Sequence, residues 1–105
     1  MAGIPDRTEL IEIINRYVEL VSQRIRVESV YLFGSYVDGK PDDYSDIDLL
    51  IVSPDFGEDL FEEQVRLMIA RRQVDLRIEP HPVPSGELDS NILFAMAGDQ
   101  MLRVV

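Results

Sequence analysis

The chain of 105 residues contains no cysteine, no tryptophan and a single histidine. The lack of cysteine excludes disulfide bridges and thiolate-bound metal sites, and it is typical of proteins that work in a reducing compartment. No apolar run approaches the roughly 18 residues needed to cross a bilayer, and the amino terminus lacks the basic and then apolar order of a signal peptide. These absences predict a cytoplasmic protein that does not associate with a membrane.

Positive charge is also scarce, since 20 Asp and Glu residues stand against 10 Lys and Arg residues and give a formal net charge of −10. The imbalance is concentrated between positions 36 and 63, where ten acids accompany one base, Lys40. Such a surface repels nucleic-acid phosphates, and no basic cluster elsewhere compensates for it. The charge therefore predicts no direct binding to DNA or RNA and favours a cation or a basic protein surface as the partner.

Length and hydrophobic periodicity predict one domain that spans 1–105. Apolar residues at helical spacing follow a capping Asp6 and recur over 57–72, which predicts two helices. Strand-like runs occupy 30–33, 47–52, 74–79 and 101–105, and a third helix is predicted from Ser85 to about Gly98. The order α, β, β, α, β, α, β predicts an α+β sandwich, in which a small mixed sheet carries helices on one face.

Two finer predictions concern the second half of the chain. The spacing of apolar residues in the second helix predicts five buried side chains: Leu60, Phe61, Val65, Met68 and Ile69. The prolines in His81-Pro82-Val83-Pro84 predict a break in regular structure, because proline cannot donate a backbone hydrogen bond. His81 is accordingly interpreted as a surface residue of a loop.

Two carboxylates stand at the beginning of the second predicted strand. Asp46 and Asp48 share one face there, and such close like charges raise a pKa unless a cation keeps both groups ionised. Asp75, flanked by apolar residues, is the acid of the third strand expected to converge on this face, whereas Glu79 lies at the far end of that strand. Three carboxylates suit Mg²⁺ or Mn²⁺ and can bridge two ions for phosphoryl or nucleotidyl transfer. Their spacing does not match an EF-hand.

Gly34 and Ser35 end the first predicted strand. Glycine lets backbone N–H groups approach a phosphate, and a serine hydroxyl can donate to a phosphate oxygen. Taken singly, Gly-Ser is most often a simple turn, and Asp-x-Asp is often a solvated start of a strand. Together, the order strand, Gly-Ser, polar loop and Asp-x-Asp predicts a phosphate site beside a metal site.

These motifs resemble those of a known family. Phe33-Gly34-Ser35, the polar loop and Ser45-Asp46-Ile47-Asp48-Leu49-Leu50-Ile51 resemble the signature of the nucleotidyltransferase superfamily related to DNA polymerase β. The whole short chain resembles a minimal nucleotidyltransferase. The resemblance implies a polymerase β-like fold that transfers a nucleotide from ATP to a hydroxyl group with release of pyrophosphate. The residues implied are Asp46, Asp48 and Asp75 for Mg²⁺ or Mn²⁺ and catalysis, and Gly34, Ser35 and Lys40 for the phosphates.

The resemblance also implies a partner and leaves alternatives open. Minimal members resemble antitoxins of HEPN-domain proteins, which they inhibit by binding and in some cases by adenylylating a tyrosine. Family members commonly carry Arg after the Gly-Ser, but this chain has Asp38, with Lys40 as the nearby cation. That departure favours a non-catalytic binding module of the same fold, whereas the complete carboxylate set favours the enzyme. A small-molecule nucleotidyltransferase of the aminoglycoside-modifying kind ranks third, because the chain has no acceptor domain.

Overall fold

The computed structural model describes residues 5–38, 45–91, 95 and 101–105. Its elements in chain order are helix α1 (Arg7–Val21), strand β1 (Ser29–Phe33), short helix α2 (Ser35–Asp38), strand β2 (Ile47–Ser53), helix α3 (Leu60–Ala70) with a 3-10 turn (Arg71–Gln73), strand β3 (Ile78–Pro84) and strand β4 (Leu102–Arg103). The strands form one sheet in the order β3-β2-β1-β4. Strand β2 is parallel to β3 and antiparallel to β1, which is antiparallel to β4. The predicted α+β class is confirmed.

Helices α1 and α3 cover one face of this sheet. The buried core on that side comprises Leu10, Ile13, Ile14, Tyr17 and Val21 of α1, Leu67 of α3, Phe56, and Val30, Leu32, Ile47, Leu49, Ile51 and Ile78 of the strands. The hydroxyl of Tyr17 is buried and donates to the main-chain carbonyl of Leu67 at 2.6 Å, which ties the two helices together. Asp6 caps α1 as predicted, by accepting the N–H of Glu9 at 2.8 Å. None of the helices in the described ranges is both long and apolar enough to cross a bilayer.

Strand β3 occupies the segment for which a break was predicted, and that prediction is wrong. Three prolines stand at alternate positions of the strand: Pro80, Pro82 and Pro84. Successive residues of a strand turn their hydrogen-bonding groups to opposite sides, so these prolines face the free edge of the sheet and the residues between them keep N–H groups for β2. Side chains of Gln64 and Arg71 cover this edge by donating to the carbonyls of Pro80 and Ile78 at 3.1 and 2.9 Å.

The predicted strand 74–79 is also wrong in its position, since β3 begins at Ile78. The carboxylate of Asp75 accepts the backbone N–H of Arg77 at 2.9 Å, which closes a turn and uses a donor that a strand would require. Leu76, whose alternation with its neighbours suggested burial, is 66 % exposed. A local hydrogen bond between side chain and backbone therefore overrides the strand pattern.

Helix α3 presents a different face to the sheet than its apolar spacing predicts. Leu67 is its only buried residue among those described. Four of the five side chains predicted to be buried are exposed and Met68 is half-buried; the exposed ones are Leu60, Phe61, Val65 and Ile69. The orientation follows from polar contacts, because Gln64 reaches the edge of β3 and the carbonyl of Leu67 accepts from Tyr17.

The carboxyl-terminal predictions are tested only in part. Residues 85–91 form turns and irregular backbone, so the third helix does not begin at Ser85. Ala95 is helical and donates its N–H to the carbonyl of Asn91 at 3.0 Å, but the rest of that predicted helix lies outside the described residues. The last strand is confirmed as β4, which pairs with β1 at the edge of the sheet.

Two alanine substitutions in α3 check its orientation. Leu67→Ala should lower the free energy of unfolding by about 2–5 kcal/mol, because it leaves a cavity beneath the helix. Phe61→Ala should change it by less than about 0.5 kcal/mol, because Phe61 is 78 % exposed. Denaturant unfolding of both variants and the wild type makes the comparison. A larger loss for Phe61→Ala than for Leu67→Ala would contradict the orientation described above.

Candidate functional site

A row of three side chains crosses one end of the sheet, on the face opposite α1 and α3. Phe33 ends β1 and pairs in register with Asp48 of β2, which pairs with Glu79 of β3. We call these three residues, two acids and one aromatic residue, the outer row. The next row into the sheet, the inner row, consists of Tyr31, Leu50 and His81. Because strand side chains alternate between faces, the buried neighbours of Asp48 in β2 point into the helix-covered core instead.

Three carboxylates at this end of the sheet influence one another, and we call Asp46, Asp48 and Glu79 the acid cluster. Partial burial and, to a lesser degree, the charge of Asp46 raise the pKa of Asp48 from its ordinary 3.8 to about 6. Burial also raises the pKa of Glu79, and a hydrogen bond with Asp46 and the charge of Asp48 add to that shift. Ionising the whole cluster is therefore unfavourable unless a cation compensates the charge.

His81 extends the cluster with a nitrogen ligand. One carboxylate oxygen from each of Asp48 and Glu79 and one imidazole nitrogen of His81 all lie within 4.8 Å of one another. The imidazole packs at a tilt on Phe33, with ring centroids 5.5 Å apart, and burial lowers the pKa of His81. Oxygen and imidazole donors at this spacing are suited to a divalent cation.

Gly34 places its backbone directly against the acid cluster. Its φ is +83°, a conformation that favours glycine, and a Cβ added there would overlap Oδ2 of Asp48 and lie 3.3 Å from Cγ of the same residue. Ser35 follows at once as the first residue of α2, and the carbonyl of Gly34 accepts the N–H of Val37 at 3.0 Å. The Gly-Ser turn and Asp48 thus meet at the same end of adjacent strands, as the sequence predicted.

Asp75 does not lie on the strand that brings Glu79 to the acid cluster. Asp75 lies in the turn before β3, and the guanidinium of Arg77 donates to both of its carboxylate oxygens, at 2.9 and 2.7 Å. These hydrogen bonds hold the pKa of Asp75 below its usual range. Glu79 occupies the place on β3 that the sequence assigned to Asp75.

The sequence analysis placed Glu79 at the far end of the third strand and His81 in a loop, although a signal that both face the acid cluster was present. Prolines at alternate positions mark an edge strand, and the residues between them share one face of it. The remaining predicted site residue, Lys40, lies outside the described residues.

A mixed sheet that sets a glycine turn against clustered carboxylates has the architecture of a nucleotidyltransferase domain. The sequence profile of the family "Nucleotidyltransferase domain" matches residues 14–96, which is most of the chain and includes the Gly-Ser turn and the whole acid cluster. This chain belongs to that family.

Individual relatives agree with this assignment. A Methanocaldococcus jannaschii protein named "putative protein adenylyltransferase" is 30 % identical over 61 residues, which cover 58 % of this chain and 61 %, less than two thirds, of that relative. The fold superposes with a TM-score of 0.66 on a "putative nucleotidyltransferase" from Sulfolobus solfataricus, at 23 % identity over 91 % of this chain and 79 % of the other. A chain from the complex of tri-AMPylated Shewanella oneidensis HEPN toxin with MNT antitoxin gives a TM-score of 0.55 at 22 % identity, over 91 % and 71 %. The nucleotidyltransferase fold is thereby established.

The raised pKa of Asp48 predicts that its charge destabilises the metal-free fold. A carboxyl with a pKa of about 6 in the folded protein and an ordinary value of 3.8 binds its proton more tightly when folded. The contribution of Asp48 to the free energy of unfolding therefore falls as the pH rises from about 4 to above 6. Asp48→Asn should raise the free energy of unfolding by about 1 kcal/mol near neutral pH, a value reduced for solvent screening of a half-exposed group, and the gain should vanish near pH 4.

Asp75→Asn is the matched control, and its effect should have the opposite sign. Because Arg77 lowers the pKa of Asp75, the ionised carboxylate stabilises the fold above its ordinary pKa of 3.8, and this stabilisation is lost as the pH falls through the folded value. Asp75→Asn should therefore destabilise the protein near neutral pH. Denaturant unfolding across this pH range, with a chelator present, measures both variants; destabilisation by Asp48→Asn near neutral pH would contradict the burial of its charge.

The close approach of Gly34 to Asp48 predicts a second measurable difference. Gly86 has a similar φ of +88° but no atom within 4 Å of an added Cβ, so Gly86→Ala reports the backbone cost alone, about 1–2 kcal/mol. Gly34→Ala should cost a further ~1–3 kcal/mol, because its Cβ displaces the carboxylate of Asp48. Unfolding of the two variants measures the difference, and equal losses would show that the approach of Gly34 to Asp48 has no energetic consequence.

Proposed function

We propose that this domain transfers AMP from ATP to a hydroxyl group of a protein partner, with a divalent cation held by Asp46, Asp48 and Glu79. The proposal depends on one observation, the meeting of the acid cluster and the Gly34 turn at one end of the sheet. Membership of the nucleotidyltransferase family supports the reaction class. The name of the Methanocaldococcus relative supports AMP as the transferred group and a protein as the acceptor.

The donor set fits Mg²⁺ or Mn²⁺. Carboxylate oxygens are the ligands that these hard cations prefer. Burial, and after it the neighbouring acids, raise the pKa of Asp48 and of Glu79, so a bound cation would favour the ionised form of both groups. When bound, such an ion neutralises the charge of a triphosphate and aligns it for in-line displacement. Glu79, and not Asp75, is proposed as the third carboxylate, because the carboxylate of Asp75 is engaged by Arg77.

The proposed reaction exchanges one bond at the α-phosphorus of ATP. The acceptor oxygen forms a bond to that phosphorus, its bond to the bridging oxygen of the β-phosphate breaks, and pyrophosphate leaves. Glu79 is proposed to take the proton of the acceptor hydroxyl, since it is a carboxylate of the acid cluster and carboxylates can act as general bases. Gly34 and Ser35 are proposed to hold the phosphates through backbone N–H groups and the serine hydroxyl, with Lys40 as the added cation.

A HEPN-domain toxin is the proposed partner, with this chain as its antitoxin and a tyrosine as the acceptor. The fold is shared with a chain from the Shewanella oneidensis complex, in which an MNT antitoxin accompanies a tri-AMPylated HEPN toxin. The net charge of −10 favours a partner with a basic surface and disfavours direct contact with nucleic acid. A cytoplasmic site of action, expected from the lack of cysteine, stays a prediction.

Mass spectrometry of the partner tests this function. With ATP and Mg²⁺, a HEPN-domain protein supplied as the partner should become heavier by one or more AMP units. Asp46→Asn combined with Asp48→Asn should abolish the change. Glu79→Gln should slow it on the order of 100- to 1000-fold, the equivalent of several kcal/mol of lost electrostatic stabilisation.

The same assay separates the two assignments of the third carboxylate. Asp75→Asn should retain AMP transfer if Glu79 is the third carboxylate. The assignment made from the sequence alone predicts that Asp75→Asn abolishes AMP transfer and that Glu79→Gln retains it. Far-UV circular dichroism of each variant establishes that it is folded.

A non-catalytic binding module is the second candidate, and Asp38 favours it because an acid there opposes a bound triphosphate. On this alternative, the wild type and the Asp46 and Asp48 double variant inhibit the partner equally, and the mass of the partner does not change. That result would exclude the catalytic account while leaving the family assignment intact.

A further inference from the structure

His81 lies beside the acid cluster without a role in the function proposed above. It follows Glu79 by two residues on β3 and therefore faces the same side of the sheet. It belongs to the inner row and pairs in register with Leu50, whose side chain is fully buried. The imidazole thus lies next to the two carboxylates, on their more deeply buried side.

The spacing of the three groups is close to that of ligands on one ion. An octahedral ion with metal–ligand distances of about 2.1 Å has neighbouring ligands about 3.0 Å apart and opposite ligands about 4.2 Å apart. The ligand atoms of Asp48, Glu79 and His81 lie within 4.8 Å of one another, so modest side-chain rotations that draw them inward would bring all three onto one ion. These three residues come from paired positions and adjacent rows of two hydrogen-bonded strands, which limits how far they can separate.

The contact between His81 and Phe33 is compatible with such a role. The two rings are tilted by 48° with centroids 5.5 Å apart, which restricts the rotation of the imidazole. Simple aromatic packing is the competing explanation for this position. A phenylalanine at position 81 would satisfy packing but could not bind a metal, so the two explanations can be separated.

We propose that His81 is a nitrogen ligand of the cation held by Asp48 and Glu79, and that it makes the site prefer a first-row transition ion such as Mn²⁺ over Mg²⁺. Mg²⁺ binds oxygen ligands and keeps much of its water, whereas imidazole is a common ligand of first-row transition ions. The inference rests on the metal site of the proposed function and adds its selectivity.

Electron paramagnetic resonance of bound Mn²⁺ tests the coordination directly. The chain contains one histidine, so in protein prepared without a histidine tag any imidazole nitrogen coupled to Mn²⁺ belongs to His81. Electron spin-echo modulation of the wild-type protein with Mn²⁺ should show ¹⁴N coupling, which should change when the protein is labelled with ¹⁵N-histidine. Bound Mn²⁺ without any nitrogen coupling would overturn the proposal.

Affinity measurements test the selectivity. His81→Phe should weaken Mn²⁺ binding about 10-fold or more and change Mg²⁺ binding, measured by competition against Mn²⁺, by less than about 3-fold. His81→Gln should give the same result if the phenylalanine variant does not fold. Glu87→Gln removes an exposed acid that follows β3 and serves as the matched control, with both affinities unchanged.

Failure of this inference is distinguishable from failure of the proposed function. If wild type binds both ions and His81→Phe alters neither affinity, or alters both equally, then His81 is not a selective ligand but the carboxylate site stands. If wild type binds neither ion, with or without a non-hydrolysable ATP analogue, the metal site itself is excluded together with its selectivity.

Discussion

The partial burial of Asp48 beside two other carboxylates is the constraint on which the rest of the site depends. Position 34 favours glycine, because its φ is positive and a Cβ there would displace the carboxylate of Asp48. The alternating prolines of β3 keep that strand at the edge, and its pairing with β2 sets Glu79 directly opposite Asp48. The result is a concentration of negative charge that water screens incompletely, so that a cation has a physical reason to bind.

The chain compensates one of its two half-buried acids, Asp75, and leaves the other, Asp48, uncompensated. Asp75 is satisfied from within, since Arg77 donates to both of its oxygens and lowers its pKa. No arginine of the described residues forms an ion pair with Asp48, and the charge of Asp46 adds to the effect of burial in raising its pKa. Acids of the first kind stabilise the metal-free fold, whereas those of the second kind oppose it and are suited to an external cation. This difference separates Asp48 from Asp75, although both acids stand in strand-like patterns of the sequence.

Much of the fold could be predicted from local pattern. The capped α1, strands β1 and β2 and the Gly-Ser turn follow from short-range signals of capping, alternation and glycine. Predictions failed for the buried face of α3, which distant contacts decide, and for the start of β3, which a local hydrogen bond decides. The face that α3 buries depends on contacts of Gln64 and Leu67 with residues far away in sequence. The beginning of β3 depends on whether the carboxylate of Asp75 bonds to its own turn.

The sequence by itself determined the α+β class, the family motif and the meeting of Gly34 with Asp48, because the Gly-Ser turn and the Asp-x-Asp stand at the joined ends of two consecutive strands. Only the tertiary structure decided which acid completes the cluster. That choice depends on the parallel register of β3 with β2, and the pairing of two strands separated by a helix is not encoded in the local pattern of either one. The same register brings His81 to the acid cluster, although His81 reads as an ordinary loop residue in the sequence.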